Sequence, residues 1–439
     1  MVEKRISKRV SLAIINSLSS GVVPRVGLEH IAVGRKQEIQ CIVRDLEAIG
    51  QGASCLRFIS GRYGSGKSFM LQIIRNHAMD KNFVVSDVDL SPEKRLCGTK
   101  RQGMATYREL MERLSTVLRP DGGALEGLIQ KWINTVKNEV IQKENKLPAD
   151  IDFNRSVEKR VLGITKEIEA FAHGYDFAYV ISRYYNGYVN DDDELKQAAI
   201  RWIRGEYANK TEARKYLDVS EVITDDNWYD YIKLLALFFS AIGYSGFLVM
   251  IDECVNLYKI SNRVSRESNY EKLLSMYNDT MQGKAKHLGI YLGATPQLIE
   301  DERRGFYSYE ALRSRLARSK FVRQDFVDIS NPIILLKKLE AKELIVLLEK
   351  IVKIHEAQYD YQSSIEVNDI VSFLNASMLR LGANELETPR EILRDFISCL
   401  NILFQNRDLT LEEVIKSSGK KQMQVEGKKE IGKYAEFEI

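Results

Sequence analysis

Gly61-Arg62-Tyr63-Gly64-Ser65-Gly66-Lys67-Ser68 has the residue types and spacing of a loop built to hold phosphate. Glycines at 64 and 66 let successive backbone N–H groups turn into one concavity, a nest for phosphate oxygens. A helix starting there adds the positive end of its dipole. Lys67 brings a point charge for β- and γ-phosphates, and the Ser68 hydroxyl is a ligand for Mg²⁺. A chance glycine-rich turn can carry the same letters, so the flanks decide. Cys55-Leu56-Arg57-Phe58-Ile59 is an apolar run before the loop, and Ser68-Phe69-Met70-Leu71-Gln72-Ile73-Ile74 opens a helical pattern after it. That is the strand–loop–helix context the motif requires. The stretch reads as a nucleotide-phosphate site, with Gly61, Tyr63, Gly64, Ser65, Gly66, Lys67, Ser68 and Phe69 as its contacts.

A second constellation is Phe247-Leu248-Val249-Met250-Ile251-Asp252-Glu253. An apolar run of this kind suits a central parallel strand buried on both faces. Ligands bind beyond the C-terminal ends of such strands. Asp252 is placed to hold magnesium together with Ser68, and Glu253 to orient and deprotonate an attacking water. An acid pair can also cap a helix or form a salt bridge; the phosphate loop upstream favours catalysis. A glutamate in the second position argues for hydrolysis rather than passive nucleotide storage.

Three further positions are candidates. Leu288 to Leu292 reads as a strand delivering Gly293-Ala294-Thr295 to the same sheet edge, where the Thr295 hydroxyl can bond an attacking water or a γ-phosphate oxygen. A threonine before Pro296 is equally a turn residue. Arg303, Arg304, Arg313, Arg315, Arg318, Lys320 and Arg323 form the densest positive stretch, with Glu310 as its only acid. It supplies an arginine finger for a neighbouring subunit (Arg313 or Arg315), a grip on nucleic-acid phosphates, or a solvated helix face. In Glu387-Thr388-Pro389-Arg390-Glu391-Ile392, Thr388 is a helix N-cap and Pro389 the first helical residue. Arg390 is therefore fixed at a helix start, from which it can sense a γ-phosphate or make a surface ion pair.

Stepping outward to the elements that must carry these groups, 439 residues suggest two or three domains. The expected plan is an α/β phosphate-loop core with a parallel sheet, in two parts (1–119 and 227–330) separated by a large helical insertion at 120–226. A helical C-terminal lid at 331–405 and a charged tail at 406–439 follow. Aromatic residues in the insertion, Tyr175 to Tyr179 and Tyr184-Tyr185, suit packed core better than a base-stacking platform. A net charge of +3 is too small to demand nucleic acid. Five unpatterned cysteines and five isolated histidines offer no metal constellation, and fit reduced thiols in a cytosol. The first residues lack the apolar centre of a signal peptide, and Gly243-Tyr244-Ser245-Gly246 interrupts the uncharged run from Leu234 to Ile251, so no membrane span is expected.

The chain resembles the BrxD-like ATP-binding proteins of BREX-type phage-defence systems, a branch of the AAA+ ATPases near the Orc/Cdc6-like group. The segments that carry the likeness are Ser20 to Glu29, Val33-Gly34-Arg35, Gly61 to Ser68, Asp252-Glu253, Arg303 to Leu316 and Thr388-Pro389-Arg390-Glu391. The resemblance implies that Val33, Gly34 and Arg35 lie near the adenine. It also implies an AAA+ fold, a winged-helix-like C-terminal part, and the cofactors ATP and Mg²⁺. Expected partners are other defence-system proteins, such as helicase- or nuclease-type subunits, and double-stranded DNA reached directly or through them. A homo-oligomer is compatible with the arginine-finger reading. Two functions follow: a DNA- or partner-coupled ATPase, or a binding module in which ATP is a conformational switch with little turnover. A small-molecule kinase is the weakest reading, because no acceptor-substrate site is visible.

Overall fold

The computed structural model describes residues 6–169, 172–317, 331–380 and 388–417. The chain divides into two compact units: a sheet unit of Gln37–Arg62 and Met70–Leu336, and a helical unit holding the residues before Gln37, Tyr63–Phe69 and those from Lys337 onward.

The sheet unit is built on β1 (Ser54–Ser60), β2 (Val84–Asp89), β3 (Phe247–Asp252), β4 (Leu288–Ala294) and β5 (Ile333–Leu335). They form one sheet in the order β2-β3-β4-β1-β5, and every pairing is parallel. The apolar runs explain the order. All seven residues of β4 and the first five of β3 are buried, as strands covered on both faces must be. Helices Lys36–Gly50 and Lys67–Asp80 supply Ile42, Leu46, Met70 and Ile74 to one apolar cluster, together with Tyr291 and Met250.

Residues 120–226 contain the helices Leu125–Glu144, Phe153–Glu169, Gly174–Val189, Asp193–Ile203 and Lys210–Leu217. Their Trp132, Phe177, Tyr184 and Trp202 belong to the same apolar core as Phe238, Phe247 and Val249. The Trp132 and Phe238 rings meet edge-on at 5.1 Å. Tyr184 and Tyr185 are core residues, whereas Tyr175 is exposed and stacks on Tyr179.

Two segments depart from the sequence reading. The residue pattern from Thr106 to Leu118 predicts a helix over that whole stretch, but the helix Gln102–Glu112 stops short of it. Ser115 then exchanges both backbone hydrogen bonds with Val85, satisfying groups on the edge strand β2 that a longer helix would leave open. Thr116 and Arg119 close a two-residue turn after it. The C-terminal region expected to be helical from Pro332 instead begins with β5. Phe58 N–H bonds the Pro332 carbonyl and Leu336 N–H the Ser60 carbonyl, so the prolyl residue acts only as an acceptor at this edge.

In the helical unit, Lys8–Ser19 packs against Ala341–Tyr359 and Pro389–Gln405, with Val367–Arg380 beside them. Among the described residues after Leu335 there are helices only. Residues 418–439, most of the charged tail, lie outside the described residues. No helix among the described residues is long and apolar enough to cross a membrane.

His355 is fully buried in this unit, its Nδ1 2.9 Å from the Tyr361 hydroxyl and its Nε2 3.0 Å from Asn401 Oδ1. Burial holds its pKa below the ordinary histidine value, against smaller opposing effects of Asn401 and Glu356. The unfolded imidazole takes up a proton near pH 6.5 while the folded one resists it. This contribution to stability is thus present above about pH 6.5 and is lost as pH falls below it. Thermal unfolding between pH 7.5 and 5.5 should show that loss, and His355→Gln, which cannot titrate, should show less of it.

Candidate functional site

The phosphate loop takes the shape its glycines permit. Gly64 and Gly66 have φ of +76° and +93°, and the helix begins at Lys67. Lys67, Ser68 and Phe69 are half-buried. The Ser65 hydroxyl is buried without a hydrogen-bond partner, an orphan polar atom of the kind an oxyanion or its water satisfies. The Ser65 carbonyl is not orphaned, because the buried Arg35 guanidinium donates to it at 3.2 Å and to the Lys337 carbonyl at 2.8 Å. Arg35 therefore grips the loop's backbone. The family resemblance implies a place near the adenine for Arg35; its hold on the loop backbone is seen only in the structure.

The rest of the Val33-Gly34-Arg35 segment is held by the helix Ala341–Tyr359. Lys350 Nζ donates to the Ala32 carbonyl at 3.0 Å, and desolvation lowers the Lys350 pKa. Gly34, at φ +69°, lies so close to Glu343 that a Cβ would come within 2.2 Å of its carboxylate. Val33 is half-buried beside it.

Thr388 caps the helix Pro389–Gln405 in a reciprocal box with Glu391, as its spacing predicts. Hydrogen bonds from the Thr388 backbone and side chain hold the Glu391 carboxyl below its ordinary pKa. The Thr388 side chain rests on the phosphate loop, where a Cβ on Gly64 would lie 2.4 Å from it. Arg390 follows, its guanidinium 5.5 Å from the Tyr63 ring centre and donating to the Tyr63 hydroxyl at 3.1 Å. One compact unit thus collects Val33, Gly34 and Arg35, the loop from Tyr63 to Phe69, and Arg390.

The sheet unit gathers the acids. Asp252 ends β3, and β4 and β1 run alongside to Ala294 and Ser60. Gly61 N–H continues that pairing to the Ala294 carbonyl at 3.2 Å. The Asp252 carboxylate accepts from Glu253 N–H at 2.8 Å, and Glu253 has a φ of +54°. A left-handed glutamate is strained, and such strain clusters where function over-determines the backbone. Gly293 makes room for the neighbouring acid: a Cβ there would lie 2.1 Å from Asp252 Oδ1.

Asp89 was missed by sequence reasoning. Register places it opposite Asp252, and its pKa is raised first by desolvation and then by the Asp252 charge. Its signal in the sequence was an acid at the C-terminal end of a parallel strand. Among the described residues, no group of three or more His, Cys, Asp or Glu is arranged to hold a metal unaided.

Thr295 lies half-buried at the end of β4 and caps the helix Pro296–Glu300, its hydroxyl oxygen accepting from Leu298 N–H at 3.2 Å. The hydroxyl proton remains able to donate. Of the basic stretch, Arg304 turns inward to the Tyr258 and Ile260 carbonyls and over the Tyr258 ring. Arg313 pairs with Glu302 at 2.9 Å, and Arg315 donates to Asn278 Oδ1 at 2.8 Å, both on an exposed surface. Arg318, Lys320 and Arg323 lie outside the described residues.

A family comparison gives this arrangement its context. From residue 6 to 419 the sequence matches the family described as BREX system ATP-binding protein BrxC/D. The chain belongs to that family. It is accordingly an ATP-binding protein of a phage-defence system, with the other components of that system as partners. No curated protein matches the chain.

The packing at Gly293 yields a direct expectation. Gly293→Ala should leave the fold intact, since β4 is extended there, but displace the Asp252 carboxylate. With Asp252 read as a magnesium ligand, titration of nucleotide with and without Mg²⁺ should show affinity reduced by about tenfold or more only where the metal is present.

Proposed function

We propose that this BREX protein is a Mg²⁺-dependent AAA+ ATPase whose ATP binding and hydrolysis are coupled to double-stranded DNA or to assembly of the defence complex. The observation that carries the reading is that one chain holds both a phosphate loop with left-handed glycines at 64 and 66 and an acid pair, Asp252-Glu253, at the C-terminal end of β3, with Glu253 left-handed. Within the sheet, β4 separates β1 from β3. Strands stand about 4.8 Å apart, so the acid-bearing strand is displaced by about two such spacings from the strand that feeds the loop.

Lys67 and the loop N–H groups neutralise the β- and γ-phosphates, and Val33, Gly34 and Arg35 border the adenine. Glu253 takes the proton of the attacking water as its oxygen bonds to the γ-phosphorus and the bond to the β-phosphate oxygen breaks. Mg²⁺, held by Ser68 and Asp252, would supply charge neutralisation across the phosphates. The orphan Ser65 hydroxyl supports an occupied phosphate loop. Thr295 donates to the water or to a γ-phosphate oxygen, and Arg390 reports the γ-phosphate from a helical lid. Asp89 raises the local negative charge and strengthens the demand for a cation. The exposed positions of Arg313 and Arg315 are compatible with a finger acting on a neighbouring copy.

Phosphate release by the purified chain, with and without linear duplex DNA, tests the proposal. Lys67→Ala should abolish nucleotide binding or hydrolysis. Glu253→Gln should lower turnover by about two to four orders of magnitude while retaining ATP. Normal turnover by Glu253→Gln removes the assigned base. Tight ATP binding with negligible hydrolysis, even with DNA present, would instead make the protein a nucleotide-gated switch. Arg313→Ala or Arg315→Ala should reduce hydrolysis only where a neighbouring copy is engaged, and unchanged rates in the assembled state remove the finger.

A further inference from the structure

We infer that Tyr63 is a positioning residue for Arg390, and that the preference of the loop for a triphosphate over a diphosphate depends on it. The inference rests on the nucleotide reading above and adds a determinant of its selectivity. Tyr63 occupies one of the unspecified positions of the phosphate-loop motif, where the backbone alone holds phosphate. Tyr63 is 74 % exposed, in a loop otherwise rich in glycine and serine. What the ring faces accounts for it. The Arg390 guanidinium lies 5.5 Å from the ring centre, and its Nη1 donates to the tyrosine hydroxyl at 3.1 Å.

Two features of the same helical unit fix this pair. Thr388 and Glu391 close the capping box that sets where the helix starts, and Arg390 sits two residues beyond the cap. The Thr388 side chain presses on Gly64, next in sequence to Tyr63. Behind the arginine, Gly21 leaves its stem unhindered: even a Cβ there would lie 3.6 Å from the Arg390 methylenes.

An arginine at the end of a long flexible stem loses much rotamer freedom when it is ordered. Tyr63 imposes that order before nucleotide arrives. The hydroxyl takes one of five guanidinium N–H donors, and ring contact uses the cation's face, so the edge keeps donors for phosphate oxygens. A γ-phosphate then meets an arginine already in place. ADP lacks the group that arginine serves, so Tyr63 acts on the ATP-to-ADP ratio rather than on nucleotide affinity as such.

Equilibrium binding of ATP and ADP to the full chain tests this with Tyr63→Ala, Tyr63→Phe, Arg390→Ala and the Tyr63→Ala/Arg390→Ala pair. Tyr63→Ala should lower the ATP-to-ADP affinity ratio by roughly two- to tenfold, with ADP affinity nearly unchanged. Tyr63→Phe, which keeps the ring, should restore most of the ratio, and the pair should be no worse than Arg390→Ala alone. An unchanged or raised ratio in Tyr63→Ala overturns the inference, as does independent multiplication of the two effects. Equal loss of ATP and ADP in both Tyr63 variants would show a purely structural role and overturn it too. Lys67→Ala separates the levels. Loss of both nucleotides there upholds the nucleotide reading whatever Tyr63 does, whereas undiminished binding overturns that reading itself.

Discussion

A loop that turns several N–H groups toward one point deprives those donors of protein acceptors, and the surrounding chain must hold it in that shape. Positive φ at Gly64 and Gly66 makes the shape accessible at little steric cost. Accessibility alone does not select it, because glycine is equally free to adopt other conformations. Arg35 supplies selection by taking the Ser65 carbonyl, which leaves the N–H side of the loop for an incoming anion. Thr388 against Gly64 and Arg390 against Tyr63 press on the same few residues from a second direction. Each contact removes conformations in which the nest is collapsed, so binding does not have to order the loop.

The sheet edge poses the opposite problem, an excess of negative charge in one place. Asp89 and Asp252 face each other across β2 and β3, and Glu253 follows immediately. Burial first, and then the Asp252 charge, raises the Asp89 pKa. Part of the charge is absorbed locally, since Asp252 accepts the Glu253 N–H. The left-handed turn at Glu253 follows β3 without a glycine to relieve it. A cation is the natural complement to such an edge. Gly293 on the neighbouring strand, having no Cβ, is what lets the Asp252 carboxylate pack there.

Charge density in a sequence is a weaker guide than charge at a defined place. The arginine-rich stretch after Thr295 reads as one basic surface. Arg304 is instead a packing residue, closing carbonyls of the segment after β3. Arg313 finds an acid, Glu302, that lies just before the stretch. Guanidinium groups that already serve backbone carbonyls or a carboxylate offer less to an external phosphate. The same side-chain type at position 390 faces an exposed tyrosine and keeps donors to spare.

What the sequence determined by itself was whatever a few neighbouring residues decide through their own backbone. The glycine-set phosphate loop, the apolar runs of β1, β3 and β4, and the Thr388–Glu391 box with Arg390 behind it all follow from local hydrogen bonding and burial. Tertiary structure alone decided the pairs that strand order and helix docking create. Asp89 meets Asp252, Arg35 reaches Ser65, Tyr63 receives Arg390, and Ser115 completes the edge of β2 where a helix was expected to continue. These partners are far apart along the chain, and no periodicity links them. Their contact is fixed only when the buried strands take their order and the helices settle on their apolar faces, because burial selects the fold and the polar partners take the geometry that results.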